Sequence, residues 1–275
     1  MKQLATTSLA FLLCVCGSRE QGVSEQTRIV SLVPSLTETV FALGAGDRLV
    51  GTTNQCDYPE GAASKPRVGD FASPDPELVL ELEPDLVLLT LPSHAGLEEQ
   101  FAESGVDTYV SQPAGLEDVF AEIDSVGRLL GVAAKAHAMT DSLRAVVEGL
   151  PAFPEAPRVY LEVSGDPLMS AGAGSFLSEA VARAGGRNVF GRTVRDYFMV
   201  DPEQVIEAKP DVMVLLHPQT DAEGLIRRVG WSRIPAIRKG HVIDDIGIDL
   251  LVRPGPRLVQ GIVELHRRLA EYQGQ

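Results

Sequence analysis

Residues 75–85 read Asp-Pro-Glu-Leu-Val-Leu-Glu-Leu-Glu-Pro-Asp, and residues 201–211 read Asp-Pro-Glu-Gln-Val-Ile-Glu-Ala-Lys-Pro-Asp. Seven of the eleven positions are identical, so the chain contains an internal repeat. Each copy predicts a short helix, because aspartate is a good N-cap, proline fits the first helical position, and the second proline ends the helix. An apolar run follows each copy, at 86–89 and 212–216, and has the length of a strand buried on both faces. A unit that occurs twice indicates two similar lobes.

Strand and helix patterns alternate on both sides of this repeat. Residues 28–33, 48–53 and 106–111 have the apolar pattern of strands in the first half, and 158–163 and 241–246 have it in the second. Strands that alternate with helices predict a mainly parallel sheet. The predicted fold class is therefore α/β, with two lobes that each hold a mainly parallel sheet flanked by helices.

The segment 115–150 contains no proline, and its apolar residues recur at helical spacing. This pattern predicts one long rigid helix of about 50 Å, at about 1.5 Å per residue, which joins the lobes. Gly127 and Gly131 are its least favourable residues, since glycine has low helix propensity. The lobes are predicted to span 28–114 and 157–272.

Composition limits the classes of function. The 275 residues are 44% hydrophobic, enough for two modest lobes, and the formal net charge of −14 argues against nucleic-acid binding. The three cysteines (Cys14, Cys16 and Cys56) form neither a disulfide framework nor a Cys-x-x-Cys metal motif. Cys56 is expected to be a small buried residue.

The N-terminus is typical of an exported protein. Lys2 precedes an apolar segment, 9–16, that is too short to span a bilayer, so residues 1–16 are predicted to be a signal peptide. The sequence Leu-Cys-Val-Cys-Gly-Ser around Cys16 resembles a bacterial lipoprotein signal, which implies acylation of Cys16. No later segment is long and apolar enough to span a bilayer, so this lipid is the only membrane attachment expected. An ordinary secretory signal is the alternative. The polar residues 17–27 are predicted to be a tether.

Several stretches, taken in order, resemble the helical-backbone (class III) substrate-binding proteins of ABC importers, and most closely the vitamin B12 receptors among them. These stretches are Arg-Ile-Val-Ser-Leu-Val-Pro-Ser at 28–35, Cys-Asp-Tyr-Pro at 56–59, Pro-Asp-Leu-Val at 84–87, the mid-chain helix, and Arg-Pro-Gly-Pro-Arg at 253–257. The resemblance covers residues 28–272. It implies a monomeric receptor, not an enzyme, that holds its ligand between two lobes and delivers it to a permease with its ATPase.

The same resemblance implies that one carboxylate on each lobe docks with arginines of the permease. The matching residues are Glu77 and Glu203, which occupy equivalent positions in the repeat. The alternative is that both glutamates only interact favourably with the positive end of a helix dipole, an effect of about 0.3–1 kcal/mol each.

The resemblance also assigns the ligand cleft. A corrin ring is wide and largely apolar and carries amide arms, so flat aromatic side chains and a few hydrogen-bonding groups suit it. Phe71 and Leu91 stand where that family has larger aromatic residues, and Trp231 is the single tryptophan, which leaves a related corrinoid or another chelate open. Ordinary core packing is the alternative for each aromatic residue. The expected ligand-binding residues are Tyr58, Phe71, Tyr197, Phe198, Asp249 and Arg253.

Two histidines, His94 and His217, follow the strands of the two repeat copies. Each is expected either to approach a metal centre or to be an ordinary loop residue, and no metal site is predicted. Three functions remain open: a receptor for cobalamin or a related corrinoid, a haem or ferric-siderophore receptor of the same fold, and an enzyme of the metal-chelatase kind. In the second, Tyr58, Tyr197 or one of the two histidines would act near iron. No nucleophile–base pair or metal-ligand cluster supports the third.

Overall fold

The computed structural model describes residues 27–273. The predicted signal peptide, Cys16 and all but the last residue of the predicted tether lie outside the described residues. Within them, no helix combines the length and the apolar character that a membrane span requires.

The first lobe contains a sheet of four parallel strands. Its helices are α1 (Pro34–Ala42), α2 (Glu60–Ala63), α3 (Pro76–Glu81) and α4 (Leu97–Glu103), with a 3-10 turn at Gly46–Arg48. Its strands are β1 (Ile29–Ser31), β2 (Leu49–Thr52), the short hairpin β3 (Gly69–Asp70) and β4 (Ser73–Pro74), β5 (Leu86–Thr90) and β6 (Asp107–Ser111). The main sheet has the order β2-β1-β5-β6.

The predicted single helix over 115–150 is wrong, because the structure has two helices there. α5 (Leu116–Leu129) ends at Leu130, Gly131 adopts a φ of +71°, and α6 (Ala133–Glu148) begins after it. Such a left-handed residue, which glycine adopts without steric penalty, ends a helix and turns the chain.

The two helices run antiparallel as a hairpin. Arg144 Nη2 lies 3.0 Å from Glu117 Oε2 near the open end, and His137 Nδ1 lies 3.0 Å from Asp124 Oδ1 nearer the turn. Gly127 allows α6 to pack close to α5. Both helices contact the second lobe. α5 packs against α1 of the first lobe and donates the Leu116 N–H to the Glu179 carboxylate of the second, and α6 packs against the C-terminal helix of the second lobe.

The second lobe repeats the topology of the first. Its helices are α7 (Phe176–Arg183), α8 (Pro202–Ala208), α9 (Ala222–Ile226), α10 (Pro235–Lys239), α11 (Ile248–Val252) and α12 (Leu258–Gln273), with a 3-10 turn at Trp231–Arg233. Its strands are β7 (Arg158–Glu162), β8 (Ser164–Gly165), β9 (Leu168–Ala171), β10 (Arg187–Asn188), β11 (Tyr197–Met199), β12 (Val212–Leu215) and β13 (Val242–Ile243). The parallel sheet β10-β7-β12-β13 places its strands in the same relative order as the first sheet, and β11-β9-β8 form an antiparallel addition. The predicted α/β fold of two mainly parallel sheets is confirmed.

Both repeat copies form the predicted helix and share a further role. The Asp75 carboxylate accepts from the Glu77 N–H at 2.9 Å, which caps α3. The last residue of each copy is bonded to the start of the first strand of its lobe. The Asp85 carboxylate accepts from the Arg28 N–H at 2.8 Å, and the Asp211 carboxylate accepts from the Arg158 N–H at 2.9 Å. The repeat therefore fastens a helix to the central part of each sheet.

Candidate functional site

A cavity of about 960 Å³ lies between the lobes. An adjoining cavity of about 310 Å³ shares several of its lining residues, so the two form one cleft. The first-lobe wall comes mainly from loops that follow parallel strands, the usual position of ligand sites in open α/β sheets. The second-lobe wall comes from the starts of α7 and β11 and from α11 and the segment after it. The shared residues are Phe71, Thr90, Pro113 and Pro254.

Two of the predicted aromatic residues line this cleft, one from each lobe. Phe71 lines it from the first lobe, where its backbone N–H donates to Gln55 Oε1 at 2.7 Å. Tyr197 lines it from the second lobe. Burial, with a smaller contribution from the Asp196 carboxylate, raises the pKa of Tyr197 to about 12. At neutral pH the cleft thus presents a neutral phenol and a phenyl ring.

Phe198 and Tyr58 lie elsewhere. Phe198 follows Tyr197 in β11 and points to the other face of the strand, where its ring meets Phe190 edge-on with a centroid distance of 5.4 Å. The Tyr58 ring lies under the Arg257 guanidinium at 3.7 Å and lines a separate cavity of about 340 Å³ beside α1 and α6. Neither residue is among those that line the interlobe cleft.

Arg253 lies in the cleft wall, but its charge is already neutralised. Its Nη1 donates to Glu38 at 3.0 Å and to Asp57 at 2.8 Å, and its Nη2 lies 3.0 Å from Asp249. The hydrogen bond from Arg253 holds the pKa of Asp57 below its usual value. Arg253 therefore offers no unpaired positive charge to a ligand, whereas the half-exposed Asp249 remains accessible in the wall.

Glu38 is the centre of this network. The carboxylate is 3% exposed and also accepts from Arg257 Nε at 2.7 Å. Glu38 belongs to α1 of the first lobe, while both arginines follow α11. Their hydrogen bonds therefore connect the segment after α11 to the first lobe. The sequence did not reveal this contact, since 215 positions separate Glu38 from Arg253.

His94 positions two residues of the cleft wall. The buried ring contacts the Phe71 carbonyl through Nε2 at 2.7 Å, and its Nδ1 accepts from the Thr90 N–H at 3.1 Å. Because a carbonyl can only accept and an N–H can only donate, the ring is the neutral tautomer with hydrogen on Nε2. Burial lowers the pKa of His94, and the hydrogen bond to Phe71 opposes this effect.

His217 is also fully engaged. Its Nε2 lies 2.9 Å from Glu162 Oε1, and its Nδ1 accepts from the Gln219 N–H at 3.1 Å. Glu162 is completely buried and accepts from both terminal nitrogens of Arg228 at 2.7 Å. Neither strand-end histidine has a free ring nitrogen, and among residues 27–273 no three His, Cys, Asp or Glu side chains are grouped to hold a metal ion.

Glu77 and Glu203 occupy equivalent exposed positions, each the second residue of its helix. Neither carboxylate forms an ion pair with another residue of the described chain. Cys56 is buried, as expected, and contacts the Thr37 and Thr53 hydroxyls at 3.2 and 3.3 Å.

Comparison with known proteins identifies the family. Residues 29–246 match the profile of the family described as periplasmic binding protein. An ABC transporter substrate-binding lipoprotein of Bacillus subtilis is 31% identical over 88% of this chain and 79% of its own length. A vitamin B12-binding protein of Vibrio parahaemolyticus is 29% identical over 86% of this chain and 87% of its own length.

Solved structures agree with this assignment. A periplasmic heme-binding protein from Roseiflexus has a TM-score of 0.80 at 26% identity, covering 90% of this chain and 99% of its own. The periplasmic vitamin B12 binding protein of Vibrio cholerae has a TM-score of 0.76 at 26% identity, covering 90% and 98%. With two look-alike lobes around a cleft and the family profile over most of its length, the chain belongs to the periplasmic binding protein family and is the substrate-binding component of an ABC transporter, which works with a permease and its ATPase.

Proposed function

We propose that this protein captures cobalamin or a related corrinoid in the interlobe cleft and delivers it to its permease. The observation that carries the proposal is that the cleft offers aromatic surface while the ring nitrogens of His94 and His217 are all engaged. Haem bound by a protein takes an axial ligand such as histidine or tyrosine. Cobalamin already has ligands on both faces of its cobalt, so its receptor needs only contact surface and hydrogen bonds.

The charge of the cleft supports the same ligand. Haem and many ferric siderophores carry carboxylates or net negative charge, which unpaired arginines bind well. Arg253 is instead neutralised by carboxylates, and the rest of the lining is mixed in charge, because the exposed Arg195 is accompanied by the acids Asp196 and Asp249. Neutral amide arms, which both donate and accept hydrogen bonds, suit the mixed polar groups of this cleft.

Haem is the second candidate, because Tyr197 is placed in the cleft and a heme-binding protein is among the similar structures. A tyrosine binds ferric iron as its phenolate. The raised pKa of Tyr197 opposes that form, although a bound ferric ion would lower it. The two candidate ligands therefore differ most in the form of Tyr197 that they require, a phenolate for haem and a neutral ring for the corrinoid.

Isothermal titration calorimetry with cyanocobalamin, hemin and a ferric hydroxamate tests the proposal. Calorimetry is preferable to tryptophan quenching, since Trp231 is buried in the second lobe beside Tyr160 and does not line the cleft. We expect 1:1 binding of cyanocobalamin at least tenfold tighter than of the other two ligands, about 1.4 kcal/mol.

Two substitutions separate the candidates. Phe71→Ala should weaken cyanocobalamin roughly tenfold by removing stacking area, while Tyr197→Phe, which keeps the ring, should change its affinity only a few-fold. Tighter binding of hemin, with an absorption spectrum that changes in Tyr197→Phe, would refute the corrinoid proposal and establish the haem alternative.

We also propose that Glu77 and Glu203 dock the protein on arginines of the permease. Two exposed carboxylates at equivalent helix starts orient the lobes symmetrically, although each exposed ion pair contributes only about 0.2–1 kcal/mol. The double variant Glu77→Ala with Glu203→Ala should keep its ligand affinity and lose uptake in cells. A double variant at two other exposed acids, Glu98→Ala with Glu223→Ala, is the matched control. Normal uptake by the Glu77 and Glu203 double variant contradicts the assignment.

Finally, we propose that the protein is exported and acylated at Cys16. Labelling of cells with radioactive palmitate should mark the wild-type protein and leave Cys16→Ser unlabelled and released from the membrane. Equal labelling of both forms would exclude Cys16 as the acylated residue.

A further inference from the structure

Another cavity, of about 230 Å³, lies at the end of the second-lobe sheet that faces away from the cleft. Its walls come from the amino ends of the parallel strands β7, β10 and β12 and from the residues just before β13. Its charged and polar lining residues are Arg158, Arg187, Lys239, His241, Asp211 and Glu155.

Three cations line this small space. Within residues 27–272, the side chains of Arg158, Arg187 and Lys239 form no hydrogen bond or ion pair. Asp211, by contrast, is committed to the fold, because its Oδ2 accepts from the Arg158 backbone N–H at 2.9 Å. The three cations outnumber the two carboxylates of the lining, in a chain whose formal net charge is −14.

The internal repeat supplies a comparison within the molecule. Arg28 is the first-lobe counterpart of Arg158, since both donate a backbone N–H to the closing aspartate of their repeat copy. The Arg28 guanidinium donates to the carbonyls of Leu82 and Glu83 at 2.6 and 3.0 Å, at the end of α3. The Arg158 guanidinium makes no such bond in the second lobe and instead borders the cavity. The arginine at this position thus bonds to the backbone in the first lobe, whereas in the second lobe its guanidinium is available to a ligand.

His241 adds a fourth group, which can accept a hydrogen bond from the hydroxyl of a hydrogen phosphate. Its ring is buried and stacks on Tyr272 at a centroid distance of 4.3 Å. Its Nδ1 lies 3.2 Å from the Asp211 carbonyl, so Nδ1 carries the hydrogen and donates. Its Nε2 has no partner within the described chain.

We propose that this cavity binds a phosphate-type oxoanion, either free or as the phosphate of a small ester or lipid head group. Guanidinium groups match the geometry of phosphate oxygens and form paired charge-assisted hydrogen bonds with them. The volume is below the range of pockets that enclose drug-sized ligands, so the phosphate group itself is the recognised part. This site is separate from the interlobe cleft and does not depend on the identity of the transported ligand.

Calorimetric titration of the purified protein with inorganic phosphate and with glycerol 3-phosphate, at constant ionic strength, tests the inference. Co-sedimentation with phosphatidylcholine vesicles, with and without phosphatidylglycerol, tests the lipid source. We expect saturable 1:1 binding of one of these probes, weakened at least tenfold in both Arg158→Gln and Arg187→Gln. Arg227→Gln, which removes an exposed cation outside the cavity, is the matched control and should bind like the wild type.

Binding of inorganic phosphate that both cavity variants weaken supports a site for soluble anions. Binding only to vesicles that contain phosphatidylglycerol, again weakened by both variants, supports a head-group site. The inference is overturned if no probe binds, or if Arg227→Gln weakens binding as much as the cavity variants do.

Discussion

Ligand affinity should depend on pH through His94, because this neutral ring connects Phe71 and Thr90, which both line the cleft. Protonation would place a hydrogen on Nδ1 against the Thr90 N–H, so two donors would face each other in a buried site. The ring has no ionic partner among the described residues. Asp70, next to Phe71 in the chain, accepts hydrogen bonds from Asn54 and Gln55, and Glu98 and Glu99 lie at the start of α4. Acid therefore disrupts this wall of the cleft with no compensating charge pair.

The sign and size of the pH effect on stability follow from the contacts of His94. Burial lowers the folded-state pKa of His94 from 6.5, so its contribution to stability is complete above pH 6.5 and is lost as the pH falls from there through the lowered pKa. Each unit of pKa difference corresponds to about 1.4 kcal/mol. His94→Ala removes the partner of the Phe71 carbonyl and of the Thr90 N–H, which are partly buried, at up to about 1–3 kcal/mol each.

His94→Gln is the informative substitution. The glutamine Nε2 can donate to the Phe71 carbonyl and its Oε1 can accept from the Thr90 N–H, but the amide does not titrate. Urea unfolding and cyanocobalamin affinity should be measured between pH 5 and 8 for the wild type, His94→Gln and His94→Ala. We expect near-wild-type stability of His94→Gln at pH 7.5, a smaller loss on acidification than in the wild type, and a large loss in His94→Ala at every pH.

The other histidines are present in all three proteins, so the difference between the wild type and His94→Gln isolates His94. Nuclear magnetic resonance of the ligand-free protein gives the His94 pKa directly and does not depend on the ligand. A His94 pKa at or above 6.5, or identical pH profiles for the wild type and His94→Gln, would refute the reasoning.

Three further predictions concern stability and are checked by urea unfolding. Arg253→Met should lower the free energy of unfolding by roughly 1.5–3 kcal/mol, since it removes one of the two arginine partners of the buried Glu38 carboxylate, whereas Arg227→Met should be nearly neutral. Burial raises the pKa of Glu122 to about 7, and a hydrogen bond from Ser111 opposes this effect, so ionised Glu122 destabilises the fold as the pH rises from 4.5 to 7. The free energy of unfolding of Glu122→Gln relative to the wild type should therefore increase by roughly 3 kcal/mol between pH 4 and pH 8. A difference that stays constant with pH would contradict this. Gly131→Ala should cost about 1–2 kcal/mol through backbone strain at its φ of +71° despite open space around it, and an unchanged stability would show that the turn has another cause.

The elements that sequence predicted well are those whose signals are local. Aspartate caps, paired prolines and short apolar runs specify helices and strands within a few residues of themselves, and both repeat copies fold accordingly. The reversal after Leu129 was not predictable in the same way. Helical periodicity is identical in one long helix and in a hairpin of two, and a single glycine decides between them by its φ.

Only some of the predicted ligand-binding residues line the cleft, for a related reason. Phe71, Tyr197, Asp249 and Arg253 do line the cleft. Phe198 differs from Tyr197 only in the face of β11 that it occupies, and strand register alone sets that face. The carboxylates around Arg253 and the partners of His94 come from distant segments, so no spacing rule in the sequence could identify them.

The lobes are joined more extensively than one connecting helix would imply, and this bears on how the ligand is selected. The largest apolar cluster runs without interruption from the first sheet through Phe120 and Ile123 of α5 to Val159 and Leu161 of the second. A second connection joins α1 to the segment after α11 through the buried Glu38 carboxylate. Large separation of the lobes would expose both the shared core and that carboxylate, and each exposure is unfavourable. The cleft is therefore largely preformed, and selection among flat chelates depends on its fixed lining more than on closure around the ligand.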